Sequence, residues 1–205
     1  MDSYAKEIFR KFLHLIAVIA MICYLFLFDD WKVSVLYAVS AIVIFFPALI
    51  LLSFIPGISN AISARKKGEF ALSFLAYIFM YVQVASVCWG AMGSRILTAA
   101  CVMAWGPGDA AAALIGKKFG IHKLGKKKAK SLEGSMAMFV LSFIGVFITL
   151  WFSPEINIPL KIIVSLLVAV VSTVTEFYVL NGFDTFFCPV SAMIVFAFLS
   201  INNIL

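Results

Sequence analysis

The chain has 205 residues, of which 64% are hydrophobic and 13% charged, with a formal net charge of +6. Soluble globular domains are closer to half apolar, so this composition excludes a soluble globular protein and points to an integral membrane protein. The longest polar stretch, 117–133, is too short to fold as a separate soluble unit, so residues 1–205 read as one membrane domain.

A membrane-crossing helix needs about 20 predominantly apolar residues. Seven segments meet or approach that length: 12–28, 33–55, 70–89, 96–115, 135–152, 160–180 and 186–201. The expected fold is therefore all-α and polytopic, with about seven transmembrane helices. The first segment follows a basic start, as a signal peptide does, but no small-x-small cleavage pattern follows it, so a retained signal anchor is expected. The third and fourth segments are separated only by Gly90-Ala-Met-Gly-Ser-Arg95. The fourth carries Gly106-Pro107-Gly108, where proline removes a backbone donor and the glycines loosen the helix, so an interruption is expected there. Broken helices at membrane depth are tolerated where they line a cavity or a site. Cys23, Cys88, Cys101 and Cys188 lie in apolar segments without Cys-x-x-Cys spacing and read as small buried hydrophobes. Two histidines are too few for a zinc site of ordinary ligand spacing.

Lysine and arginine set the expected orientation. Thirteen of the 16 fall before the first span, between the second and third, and between the fourth and fifth; only Lys32, Arg95 and Lys161 fall on the other side. The N-terminus, the lysine-rich loop and the 181–185 turn are therefore expected at the cytoplasmic face. The carboxylates Asp109, Glu133, Glu176 and Asp184 lie close to that face, so polar residues from distant parts of the chain are expected to converge.

Five groups of residues carry chemistry. In Glu7-Ile-Phe-Arg10-Lys11-Phe-Leu-His14, helical spacing puts Glu7, Lys11 and His14 on one face; the plainer reading is a snorkelling basic helix end. Gly108-Asp109, with Gly116 and Gly120, combines small residues suited to helix packing with a carboxylate at membrane depth. A charge there costs about 2.5–3.5 kcal/mol on insertion scales, so it is a candidate functional residue by default. The lysines from Lys117 to Lys130 suit anionic headgroups or a nucleotide triphosphate. Within them Gly120-Ile-His-Lys-Leu-Gly125-Lys126-Lys127 approaches the Walker A pattern but lacks its Ser/Thr and a preceding strand, which excludes that motif. Lys130-Ser131-Leu-Glu133-Gly134-Ser135 offers backbone donors for phosphate and a carboxylate for a cation, or an ordinary helix cap. Glu176, inside the sixth span, and Asn181-Gly-Phe-Asp184 with Pro189 complete the set.

Together these residues resemble the CTP-dependent lipid kinase family, which contains the dolichol, phytol and CTP-using diacylglycerol kinases. The matching elements are Glu7-x-x-Arg10-Lys11-x-x-His14, Lys67-Gly68-Glu69, Gly108-Asp109-x-x-Ala112 with Gly116 and Gly120, and Lys130-Ser-x-Glu-Gly-Ser135. The late motif departs from the family's Asp-Asn followed by Pro, reading Asp184-Thr185 and then Pro189. The resemblance implies transfer of the CTP γ-phosphoryl group to a membrane lipid alcohol of polyprenol, phytol or diacylglycerol type, with Mg²⁺ bridging the phosphates. It implies Asp109, Glu133, Lys130 and Glu176 as catalytic, with Asp109 and Glu133 holding the metal. It implies nucleotide contacts from Arg10, Lys11, Gly108, Gly116, Lys117, Ser131 and Gly134, with Glu7, His14 and Asp184 in supporting roles. The implied partners are CTP, the lipid alcohol and membrane lipids, with no nucleic acid and with a homo-oligomer compatible. The implied location is a cytoplasmic or plasma (inner) membrane, with the site facing the cytoplasm. The Lys-Ser-x-Glu-Gly element also resembles phosphatidate cytidylyltransferase, another CTP-using membrane enzyme. An ion-coupled transporter is the non-enzyme alternative, resting on a broken helix and intramembrane carboxylates.

Overall fold

The computed structural model describes residues 3–54, 69–124, 130–179 and 183–205. Arg65, Lys66, Lys67 and Gly68, the loop lysines 126–128, and Asn181-Gly182 lie outside the described residues. In chain order the elements are α1 (Ser3–Phe26), α2 (Trp31–Ser53), α3 (Glu69–Val84), a π-helical continuation (Ala85–Ala91) and α4 (Arg95–Lys118). They continue with β1 (Lys123–Leu124), β2 (Lys130–Ser131), α5 (Leu132–Trp151), α6 (Ile158–Tyr178) and α7 (Asp184–Ile201). Among the described residues, seven helices are long and apolar enough to cross a membrane. The protein is an all-α polytopic chain; among the described residues the one exception is an antiparallel hairpin that sets Lys123 opposite Ser131 and Leu124 opposite Lys130.

Helix ends follow local polar signals. Asp30, Ser94, Ser131 and Asn157 each occupy an N-cap and accept a hydrogen bond from a first-turn N–H, which satisfies a donor that the helix itself leaves unpaired. The short link between the third and fourth spans is real: the π-helical turn ends at Met92, and Gly93 takes a φ of +72° before Ser94 restarts the chain.

Four boundaries differ from the hydropathy reading in ways that bear on function. α1 starts near Ser3, so Glu7, Arg10, Lys11 and His14 sit on the spanning helix itself. α4 reaches Lys118, α5 begins at Leu132 and α7 begins at Asp184, so each carries its polar motif on helical backbone. Apolarity marks where a chain enters hydrocarbon, whereas hydrogen bonding decides where the helix ends.

The expected break at Gly106-Pro107-Gly108 is absent, and α4 runs through it. Pro107 deprives the Met103 carbonyl of its helical donor. The backbone of α5 lies against that carbonyl instead, so close that a Cβ on Gly145 would stand 2.8 Å from Met103 O. The neighbouring Ala104 carbonyl accepts from Ser142 Oγ at 2.5 Å. The glycines serve packing rather than flexibility. A Cβ on Gly106 would come within 2.6 Å of Val18 on α1, and one on Gly108 within 2.6 Å of Met138 Sδ and Ser142 Oγ on α5. Small residues thus let two helices close on α4 from different sides.

α4 is the most buried of the seven helices and α2 the least. Ala100, Cys101, Ala104 and Trp105 are fully enclosed, whereas α2 leaves Leu36, Val43, Ile44 and Phe45 largely exposed. Three cysteines are buried as expected, but Cys23 is exposed on α1.

Candidate functional site

The deepest charged contact joins the first helix to the fourth. Lys11 Nζ donates to Asp109 Oδ2 at 2.5 Å, and the two side chains are 3% and 8% exposed. Neither group is a snorkelling end or a helix cap. Lys11 stays buried because it has a carboxylate, and Asp109 stays mid-helix because it has an ammonium. His14, one turn further along α1, brings Nε2 to within 3.5 Å of the same oxygen.

Around this pair six elements enclose a cavity of about 320 Å³, within the range of small-molecule sites. α1 contributes Glu7, Arg10 and Lys11; α4 contributes Asp109, Ala112, Ala113, Gly116 and Lys117; the hairpin contributes Lys123, Lys130 and Ser131. Gly134 and Ser135 of α5, Glu176 of α6 and Asp184 of α7 close it. Five cationic side chains and four carboxylates therefore face one space.

Several of these groups are held by specific partners. Arg10 pairs with Glu7 across one helical turn. Lys130 Nζ lies 2.8 Å from Glu176 Oε1 and donates to the Val179 carbonyl at 3.4 Å, which ties the hairpin to the end of α6. Lys123 Nζ donates to the Gly116 carbonyl at 3.2 Å. Asp184 Oδ1 accepts from the Thr185 N–H at 2.9 Å. Among the described residues, Asp184 is the cavity carboxylate with no cation at ion-pair distance. Ser131 caps α5 through the Gly134 N–H, and a Cβ on Gly116 would meet its Oγ at 3.0 Å, so glycine lets the hairpin close against α4. Ser135 Oγ is buried at the cavity wall and has no hydrogen-bond partner among the described residues, the kind of orphan that a bound polar ligand satisfies.

The residues expected from the sequence are largely brought together. Glu7, Arg10, Lys11, Asp109, Gly116, Lys117, Lys130, Ser131, Gly134, Glu176 and Asp184 all line the cavity. Gly108 does not; it faces Met138 and Ser142. Glu133 does not line it either. Its Oε1 accepts from the His122 backbone N–H at 3.1 Å and lies 2.7 Å from His122 Nδ1, which latches the foot of the hairpin. Glu133 therefore stands outside the cavity that Asp109 lines. A helix presents successive residues about 100° apart, so Gly134 and Ser135 can face the cavity while Glu133 turns outward.

The sequence does not single out Lys123, Tyr77 or Trp105. Lys123 is hidden among equivalent lysines, and only the hairpin singles it out. Tyr77 and Trp105 lie in apolar runs that look like core; Tyr77 donates or accepts at His14 Nδ1, 2.7 Å away, and Trp105 stacks edge-on against His14. Nothing in the sequence marks either.

Among the described residues, no group of three His, Cys, Asp or Glu side chains is placed to share a metal ion. Mg²⁺ is ordinarily held by one or two carboxylates together with substrate phosphates. Asp109 and Asp184 both line the cavity and lie within electrostatic reach of each other.

No family model, curated protein or solved structure matches the chain.

Proposed function

We propose that the chain is a CTP-dependent lipid kinase that transfers the γ-phosphoryl group of CTP to the hydroxyl of a membrane lipid alcohol. The observation that carries this reading is the cavity where cations and carboxylates from six elements converge around the buried Lys11–Asp109 pair. Phosphoryl transfer asks mainly for positioning and for neutralisation of triphosphate charge. Arg10, Lys11, Lys117, Lys123 and Lys130 supply the positive charge, and Ser135 Oγ offers a further donor.

Asp109 and Asp184 would hold Mg²⁺. When bound, the ion would supply positive charge that offsets the charge of the phosphates. The acceptor oxygen attacks the γ-phosphorus, the β–γ bridging P–O bond breaks, and CDP leaves. The hydroxyl proton passes to a cavity carboxylate outside that metal pair, Glu176 of α6. The apolar helix faces around the cavity suit a lipid tail in the membrane. The concentration of Lys and Arg at the cavity end supports a cytoplasmic position for the N-terminus and the site.

The test is incubation of the purified protein with labelled CTP and, in separate reactions, phytol, geranylgeraniol, dolichol, undecaprenol, diacylglycerol or phosphatidate. The expected products are CDP and a lipid monophosphate. Pyrophosphate and a CMP-bearing lipid, formed from phosphatidate, would move the chain to the cytidylyltransferases, as the Lys130–Ser135 element allows. Neither product pair would end the reading. The transporter alternative rests on the intramembrane carboxylates alone, since α4 is continuous.

A further inference from the structure

Tyr77 does not line the cavity, yet it completes a chain of contacts that ends on Asp109. Its hydroxyl is 2.7 Å from His14 Nδ1, and the other ring nitrogen, Nε2, is 3.0 Å from the Gly106 carbonyl and 3.5 Å from Asp109 Oδ2. A carbonyl oxygen and a carboxylate oxygen only accept, so Nε2 carries hydrogen. In the neutral ring Nδ1 then offers a lone pair, and the Tyr77 O–H is its donor. The ring is also fenced. Trp105 lies edge-on to it at 4.5 Å and 82°, and Tyr77 lies edge-on to Trp105 at 5.4 Å and 65°. α1, α3 and α4 therefore meet one turn from Asp109, with polar directions fixed by a single hydroxyl.

Other charged groups face this junction. The charges of Asp109 on α4 and of Lys11 and Arg10 on α1 act on His14, and those of Asp109, Asp184 on α7 and Arg10 act on Tyr77. Lys11 and His14 both reach Asp109 Oδ2, so two residues of one helix hold the carboxylate, and only His14 depends on a third helix for its direction.

We propose that Tyr77 is a positioning residue for the cavity: its hydroxyl commits the His14 Nε2–H to Gly106 and Asp109, and so holds the Asp109 carboxylate at the cavity wall. This deepens, and rests on, the kinase reading of that cavity. Loss of the hydroxyl leaves Nδ1 buried among aromatic rings without its donor, and Asp109 loses an oriented neighbour.

Two measurements test this on the full-length protein in detergent. The chain has two histidines, so nitrogen NMR of ¹⁵N-histidine-labelled protein, assigned with His122→Gln, reads the His14 ring directly. Wild-type protein should show Nε2 protonated and Nδ1 unprotonated and hydrogen-bonded, and Tyr77→Phe should move the Nδ1 signal. Kinetics of CTP turnover supply the second arm. Tyr77→Phe should lower kcat about tenfold with KM for CTP unchanged within about twofold, the loss expected for one buried hydrogen bond. The Tyr77→Phe, His14→Ala double variant should match His14→Ala alone, because Tyr77 acts through His14. A protonated Nδ1 in the wild type, full kcat in Tyr77→Phe, or multiplying losses in the double variant would overturn the proposal. Absence of any CTP turnover in the wild type would instead sink the kinase reading, and the NMR arm would still decide whether Tyr77 directs His14.

Discussion

The two ends of the bundle handle positive charge in different ways. At one end Lys32, Arg95 and Lys161 each lie over a tryptophan ring, at 5.9, 4.4 and 5.6 Å from the centroid. Lys161 adds the Trp151 carbonyl as acceptor, and Arg95 adds a 3.7 Å contact to the exposed Asp29. These are amphipathic anchors, each satisfied locally by an aromatic face or a carbonyl. At the other end the cations meet carboxylates that arrive from distant parts of the chain, as Lys11 meets Asp109 and Lys130 meets Glu176, and the pairs face a shared cavity. The same residue types therefore serve attachment where the partner is an aromatic neighbour, and a candidate site where the partner is a carboxylate from another helix.

The sharpest way to break this contrast is at Asp109. Asp109→Asn should lower lipid phosphorylation about a thousandfold, measured as CDP release by protein that still elutes as a single species. Removing one member of a buried ion pair costs about 3–5 kcal/mol, so Lys11→Met alone should lower the thermal midpoint strongly. Lys11→Met combined with Asp109→Asn should recover much of that stability without recovering activity. A pair that regains turnover would show that the charges serve folding alone.

Lys130→Met should cost about thirtyfold in kcat/KM, because it removes a charge-assisted hydrogen bond at the hinge between hairpin and α6. Glu133→Gln is expected to cost about fivefold at most, since its contact with His122 is half in solvent and outside the cavity. A collapse of activity in Glu133→Gln comparable to Asp109→Asn would return Glu133 to the reacting centre. The smallest effect belongs to the opposite end: Arg95→Gln should lower stability by about 0.5–1 kcal/mol, the value of a surface cation–π contact, with turnover unchanged within about twofold.

Much of the architecture is written in local chemistry. Runs of about 20 apolar residues must become helices in hydrocarbon, because lipid offers no partner for a bare backbone, and seven spans follow directly from that rule. The cluster of charged motif residues was also legible. Glu7, Lys11 and His14 share a helical face by spacing, and a carboxylate at position 109 stood out against its apolar run. Tertiary contact decided the remainder. The Gly106-Pro107-Gly108 triplet spells a break when read along one strand of chain, yet it is a continuous helix because α1 and α5 press against its two glycines and α5 covers the freed carbonyl. Glu133 and Asp109 look equivalent as isolated acids, but one faces His122 and the other Lys11, since a rotation of about 100° per residue separates a side chain from its neighbour's surroundings. Tyr77 carries no polar context of its own; only the approach of α3 to α1 gives its hydroxyl a partner. Composition and periodicity are properties of one chain segment and its solvent, and they determined the spans; which side chains touch depends on how separate helices pack, and only the folded bundle decides that.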